Sequence, residues 1–338
     1  MIKIVPGFLF ALAIAAISVF LEHLLPIHLI GASVIALFIG MFLNGLLPKS
    51  AITEPGLFFT SRSVLKFGII LLGASLSIHT ILEVGKLSLI VMLFTLITCF
   101  GGGYFIGKAL GLDWKLSNLI SAGTGICGGS AIAAIAPVID AKDHDIAYSM
   151  SATFLFDMVM ILMFPIIGRW MGLSDMAYGL WTGTAVNDTS SVVAAGYAYT
   201  EQAGDFATMV KLTRTLTIIP TVIVFALTNI HVKRKAGINA NAEDAVTDFH
   251  MSAVFPWFII GFIALSILNS VGWIPIAWSE TAKEVSKFLM IAALAAIGLN
   301  TSFDEMKSSG IAPMIHGFII SALVVIVAIG VEYFMGIV

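Results

Sequence analysis

Charge is what this chain has least of. Lys, Arg, Asp and Glu make up 11% of its 338 residues, against about 25% in an ordinary soluble domain. That is too little to cover a water-facing surface. The 17 Lys and Arg residues are scattered and the formal net charge is −3, which excludes a basic nucleic-acid face. Cysteine is scarce too. Cys99 and Cys127 lie far apart in apolar sequence and form no CxxC pair, so they build neither a disulfide framework nor a zinc site. The chain also lacks a nucleotide-binding Gly-x4-Gly-Lys-Ser/Thr loop, an HExxH pair and a GxSxG elbow, which argues against direct ATP drive and against hydrolase chemistry. No enzyme activity is expected, and no cofactor beyond Na+ or H+ as a coupling ion.

Apolar length is what remains. Hydrophobic residues make up 59% of the chain and the mean hydropathy is +1.03. Runs of about 18 residues or more, enough to cross a bilayer core, recur from end to end. Polar and Gly/Pro-marked breaks divide the sequence into eleven expected spans: 5–21, 28–47, 62–80, 87–109, 116–138, 145–170, 178–199, 206–230, 251–272, 285–303 and 312–335. The expected fold is therefore an all-α polytopic membrane protein in a single transporter domain. The odd count suits one extra helix plus two inverted five-helix repeats, 28–170 and 178–335, joined near 171–177. The one substantial hydrophilic loop is 231–250.

Lys and Arg positions set the expected orientation. With the N-terminus inside, Lys3, Lys49, Arg62, Lys66, Lys108, Lys115, Arg169, Lys233, Arg234, Lys235 and Lys307 fall inside. Lys86, Lys142, Lys211, Arg214, Lys283 and Lys287 fall outside, giving eleven against six. A cytoplasmic N-terminus in the cell inner membrane is expected, with lipid and a small anion as partners and a homodimer as one arrangement.

Two polar, glycine-rich strings interrupt the apolar sequence, Gly123 to Ser130 and Gly183 to Ser191. Non-helical backbone at membrane depth is tolerated only where protein buries it or where it lines a water-filled cavity. In the first string, Gly128 and Gly129 permit close approach, and Thr124, Cys127 and Ser130 surround them as candidate substrate contacts. The bland alternative is a small-residue helix-packing groove. The second string runs Asn187-Asp188-Thr189-Ser190-Ser191. Asn187, Thr189 and Ser190 are candidate substrate contacts, while Asp188 and Ser191 suit a coupling ion. The competing reading is a loop at the membrane surface. The strings align directly, matching Thr124 with Thr184, Ser130 with Ser190 and Ala134 with Ala194. Two spanning helices that far apart would run parallel, which an inverted pair does not allow.

Lys211 and Arg214, three apart, share a helix face. Their expected role is to bind an anion, Arg214 through its planar fork, unless both snorkel to the outer interface. Asp157, the deepest acid, is either a coupling group or a partner for Arg214. Asn300 sits in a third polar break, Ala296 to Thr301.

These strings, together with Phe154 to Asp157, Lys211 to Arg214, Leu71 to Ser77 and Ala296 to Thr301, resemble the YeiH-type family of sulfate exporters along nearly the whole chain. The resemblance implies a bacterial inner-membrane protein with a fold akin to bile-acid symporters and cation/proton antiporters. It implies a panel domain, and a core domain with two crossed, broken helices. It also implies secondary transport of sulfate or a related oxyanion or sulfonate. The alternative is a cation/proton antiporter that uses Asp157 or Asp188.

Overall fold

In a computed structural model, residues 3–24, 31–46, 52–235, 256–301 and 310–338 are described. Most of the hydrophilic loop expected at 231–250 lies outside them, as do Lys49 and Lys307. Every regular element among the described residues is helical. Six helical stretches among the described residues are long and apolar enough to cross a membrane: Val5–Glu22, Glu54–Gly73, Ile78–Ala109, His144–Trp170, Glu201–Val232 and Ile311–Phe334.

The elements in chain order are α1 (Val5–Leu24), α2 (Ala32–Leu46), α3 (Glu54–Phe59), α4 (Leu65–Gly73), α5 (Ile78–Ile97), α6 (Gly103–Ala109), α7 (Trp114–Ala122) and α8 (Gly129–Ile135). They continue with α9 (Asp143–Trp170), α10 (Asp175–Ala185), α11 (Thr189–Tyr199), α12 (Glu201–Thr215), α13 (Ile218–Lys235), α14 (Trp257–Ser270), α15 (Ile276–Asn300) and α16 (Ile311–Phe334). A π-helical turn, Thr60–Val64, joins α3 to α4, and another, Thr98–Gly102, joins α5 to α6.

Helices α1–α4, α14 and α15 pack on one another, and α5–α13 with α16 form the second group. In the first group, α2 and α15 cross at Gly40 and Gly298. A Cβ on Gly298 would collide with the Leu37 carbonyl, so only glycine lets the two backbones touch there. Beyond that crossing α15 ends, and the Asn44 amide donates to the Thr301 carbonyl.

The two polar strings do not span. Each is the tip of a re-entrant helical hairpin. In the second, α10 runs alongside α12 in the same direction: Gly179 lies against Ala203 and Phe206, and Gly183 against Ala207 and Val210. Helix α11 then returns, with Gly196 against Gly204. Both ends of the hairpin meet on one side. The Tyr199 hydroxyl donates to the Leu173 carbonyl, Tyr199 stacks on Tyr178 at 3.9 Å, and Thr200 bonds Asp175 at 2.7 Å. The first hairpin does the same from the other side. Helix α7 enters, α8 returns, and the Lys115 ammonium donates to the Asp140 carbonyl at 2.8 Å.

Helices α9 and α12–α13 are the crossing rods between these sides. Near its start α9 packs at the α7 entrance, where Tyr148 joins Leu112 and Leu116. At its end Arg169 donates to the carbonyls of Ala198 and Tyr199. The α12–α13 rod runs the reverse course, from the α11 exit to Asn229, whose amide bonds the Val138 carbonyl and the Asp140 carboxylate.

This corrects the expectation of spanning helices at 116–138 and 178–199, since each hairpin returns the chain to the side it came from. It also explains the direct alignment of the strings. A hairpin followed by one crossing helix occurs twice, α7–α8 with α9 and then α10–α11 with α12–α13. One crossing per unit inverts the second unit relative to the first. In the orientation tally Lys142 and Arg169 exchange sides, which leaves the excess unchanged.

Cysteine labelling tests the hairpins, because the chain's own Cys99 and Cys127 are buried. Asp113→Cys and Lys142→Cys should react with an impermeant maleimide from one face of the membrane, Met171→Cys and Gln202→Cys from the other. Labelling of positions 113 and 142 from opposite faces would restore a spanning helix.

Candidate functional site

The tips meet near the middle of the α12–α13 rod. Their chemistry begins with backbone groups that have no helical partner. Chain reversal in the first hairpin uses the π-helical turn Gly123–Cys127 and then Gly128 at φ 63°, ψ −133°, a conformation that glycine alone adopts without strain. In the second it uses extended Val186 at φ −73°, ψ 136°, followed by Asp188, which caps α11 by accepting from the Ser190 amide at 2.9 Å. Each reversal strands carbonyls at the end of the incoming helix and amides at the start of the outgoing one.

Lys211 and Arg214 satisfy the carbonyls of both tips. The Lys211 ammonium donates to Ile126 O at 2.9 Å and Val186 O at 3.0 Å, and also to Asn187 O. Arg214 donates from Nε to Gly125 O at 2.7 Å, from Nη1 to Val186 O at 3.2 Å, and from Nη2 to Thr124 O. Both side chains are fully buried. A cation at a helix C-terminus is favoured by the helix dipole as well, so carbonyl oxygens relieve the repulsion between two cations one turn apart.

Asp157, at the middle of α9, serves the outgoing side. Its Oδ1 accepts from the Asn187 amide at 2.9 Å and its Oδ2 from the Asp188 amide at 3.0 Å. The Asn187 side-chain amide reaches the Thr153 carbonyl at 3.4 Å and the Ser321 hydroxyl at 3.3 Å. The tips also touch each other: a Cβ on Gly128 would come within 2.8 Å of Asp188 Oδ1.

Beside the tips lies a cavity of about 340 Å³. Six residues anticipated from the sequence line it: Gly128, Gly129, Asp157, Asp188, Ser190 and Asn300. The others are placed around it. Thr124, Cys127, Asn187 and Ser191 are buried within the tips, and Ser130 and Thr189 sit in the first turns of α8 and α11. Lys211 and Arg214 are not on its wall. The oxyanion contact expected of Arg214 is replaced, in this geometry, by three backbone carbonyls. Asp157 does not pair with Arg214; backbone amides occupy both of its oxygens.

Sequence reasoning missed several wall residues, among them Ser61, Arg62, Ser151, Thr153 and Thr301. Ser61 and Arg62 lie in the π-helical turn of the α3–α4 rod. The third span was expected to begin at 62, so the polar run Thr60-Ser61-Arg62-Ser63 served as a boundary. The helix in fact begins at Glu54 and carries that run inward. The only advance signal was that Leu57, Phe58 and Phe59 continue the apolar pattern upstream.

A family described as Conserved hypothetical protein 698 matches residues 6–317. A UPF0324 membrane protein of Clostridium tetani is 54% identical over 98% of this chain and 97% of its own length. Those of Streptococcus mutans and Fusobacterium nucleatum are 37% and 38% identical, the first over 98% of this chain and 97% of its own, the second over 91% and 92%. Their names say membrane protein and carry no substrate.

Removing the stitching charge should destabilise the protein more than removing its shape. Arg214→Gln strands the Thr124 and Gly125 carbonyls and should cost about 3 kcal/mol or more. Arg214→Lys keeps the charge but cannot reach three carbonyls, and should cost roughly half as much. Gly128→Ala should cost about 1–3 kcal/mol through backbone strain, and the clash of its Cβ with Asp188 adds to that. Chemical unfolding in detergent measures all three. An Arg214→Gln protein as stable as the parent would show that the guanidinium does not hold the tips together.

Proposed function

The chain belongs to the UPF0324 membrane protein family, and we propose that it is a secondary transporter that moves a small anion across the cell inner membrane by alternating access. The observation that carries this reading is the pair of re-entrant hairpins, entering from opposite sides and joined tip to tip beside a polar cavity. Broken helices at membrane depth are how many secondary transporters place a solute site between two inverted units. The cavity lies between the two packed groups of helices. Arg62, Asn300 and Thr301 come from one group, and Gly128, Asp157, Asp188 and Ser190 from the other. Relative motion of two groups that share a site is the physical requirement of alternating access.

The proposed solute is sulfate or a related oxyanion or sulfonate, the class to which the sequence resemblance points. Hydroxyl and amide donors on the cavity wall suit such an ion. Two inverted units, each a re-entrant hairpin followed by one crossing rod, are the proposed ancestry of the second group of helices in place of two five-helix repeats, and the N-terminus is assigned to the cytoplasm on the excess of Lys and Arg.

A second reading is favoured by one observation. Two carboxylates, Asp157 and Asp188, line the cavity while Lys211 and Arg214 do not. A cation/proton antiporter would use these acids directly. In the anion reading they bind the coupling ion instead.

Flux into proteoliposomes separates the two. The parent protein should carry out saturable sulfate counterflow and accumulate sulfate under a Na+ or pH gradient. Asp188→Asn should lose the accumulation and retain counterflow, because exchange needs alternating access but no net coupling. Proton movement driven by a cation gradient in the absence of any transportable anion would favour the antiporter. Unchanged gradient dependence in both Asp157→Asn and Asp188→Asn would place coupling elsewhere.

A further inference from the structure

We infer that Arg62 is the solute-binding cation of the cavity, holding the oxyanion against the wall opposite the hairpin tips. This rests on the anion reading above and names the residue that makes it electrostatically workable.

The two cations that looked suited to the task are occupied. Lys211 and Arg214 are fully buried and donate to five carbonyls, those of Thr124, Gly125, Ile126, Val186 and Asn187. Drawing either toward a solute would strand those acceptors at the tips. Among the described wall residues Arg62 is the one that carries positive charge, and it shares the lining with Asp157 and Asp188, which come from the other group of helices. An anion in this cavity meets two carboxylates across the space, so it needs a cation on its own side.

Arg62 is also presented for binding. It projects from the π-helical turn Thr60–Val64, a distortion that recurs at functional sites. Its guanidinium lies over the Phe58 ring at 4.5 Å, a cation–π contact that steadies the charged end of the side chain. No ion pair to Arg62 occurs among the described residues, and the side chain is exposed. A planar fork held this way matches two oxygens of an oxyanion at once. The order across the cavity becomes Arg62, anion, coupling cation, Asp188. Charges then alternate, and each bound ion lowers the electrostatic cost of the other.

Lys66, one turn along the same rod, is the matched control. It lies over the Phe258 ring at 5.9 Å and is not on the cavity wall. Lys66→Gln therefore makes the same change in net charge without touching the site. The experiment is binding of radiolabelled sulfate to the purified full-length chain in detergent at constant ionic strength, on protein that is monodisperse and melts as the parent does. Arg62→Gln should raise the Kd about tenfold or more, the loss expected of a charge-assisted hydrogen bond. Arg62→Lys should raise it less, and Lys66→Gln should leave it within about twofold. If Arg62→Gln does not fold, Arg62→Lys decides, and parental affinity there overturns the bidentate contact. Parental affinity in Arg62→Gln, or an equal loss in Lys66→Gln, overturns the inference while leaving anion transport standing. A parent that binds neither sulfate, sulfite nor phosphate removes the anion reading itself, and this inference with it.

Discussion

Everything near the centre of this molecule depends on backbone groups that two hairpin tips leave without helical partners. In water such groups cost little. In apolar surroundings an unpaired carbonyl or amide costs on the order of kilocalories each. The chain supplies charges to meet them, cations on the α12 face for the carbonyls of both tips and a carboxylate on α9 for the amides of the second. Val186 O accepts from Lys211 and Arg214 together, so the two side chains act as one clamp. Burial of these charges is therefore a consequence of chain reversal at that depth.

The clamp also explains why the tips differ in composition. The first reverses through Gly123, Gly125, Gly128 and Gly129, where missing side chains allow a π-helical turn and a positive φ. The second reverses through Asn187 and Asp188, which supply their own capping group. A small first tip lets the second approach until Asp188 lies against Gly128. One tip gives space and the other fills it.

Two hairpins enter from opposite sides and meet at their tips, which are buried. A polar cavity lies against the tips, and a second packed group of helices forms its far wall. The cavity wall is divided so that no single rigid group owns the site. The tips contribute acid and glycine, and the α3–α4 rod and the end of α15 contribute Arg62, Asn300 and Thr301. A solute that bridges the walls would bias the position of one group against the other.

The sequence by itself determined the membrane class, because sparse charge and long apolar runs allow little else. It also marked both strings as interruptions, though it set them inside spanning segments and left a packing groove and a surface loop open as other uses, and it singled out Asp157, Asp188, Lys211 and Arg214 as costly residues that needed a reason. Tertiary structure decided what those residues do. Whether a polar break continues across or folds back depends on what the following segments pack against, and α11 returns because Gly196 and Gly204 let it lie along α12. The same holds for Arg62. Local polarity made it look like a helix boundary, and only the packing of α3 and α4 against α15 carries it to the cavity wall. Periodicity and composition report how deep a residue lies. Which neighbours it meets there is a long-range property, fixed by contacts between segments as far apart in sequence as Thr124 and Arg214.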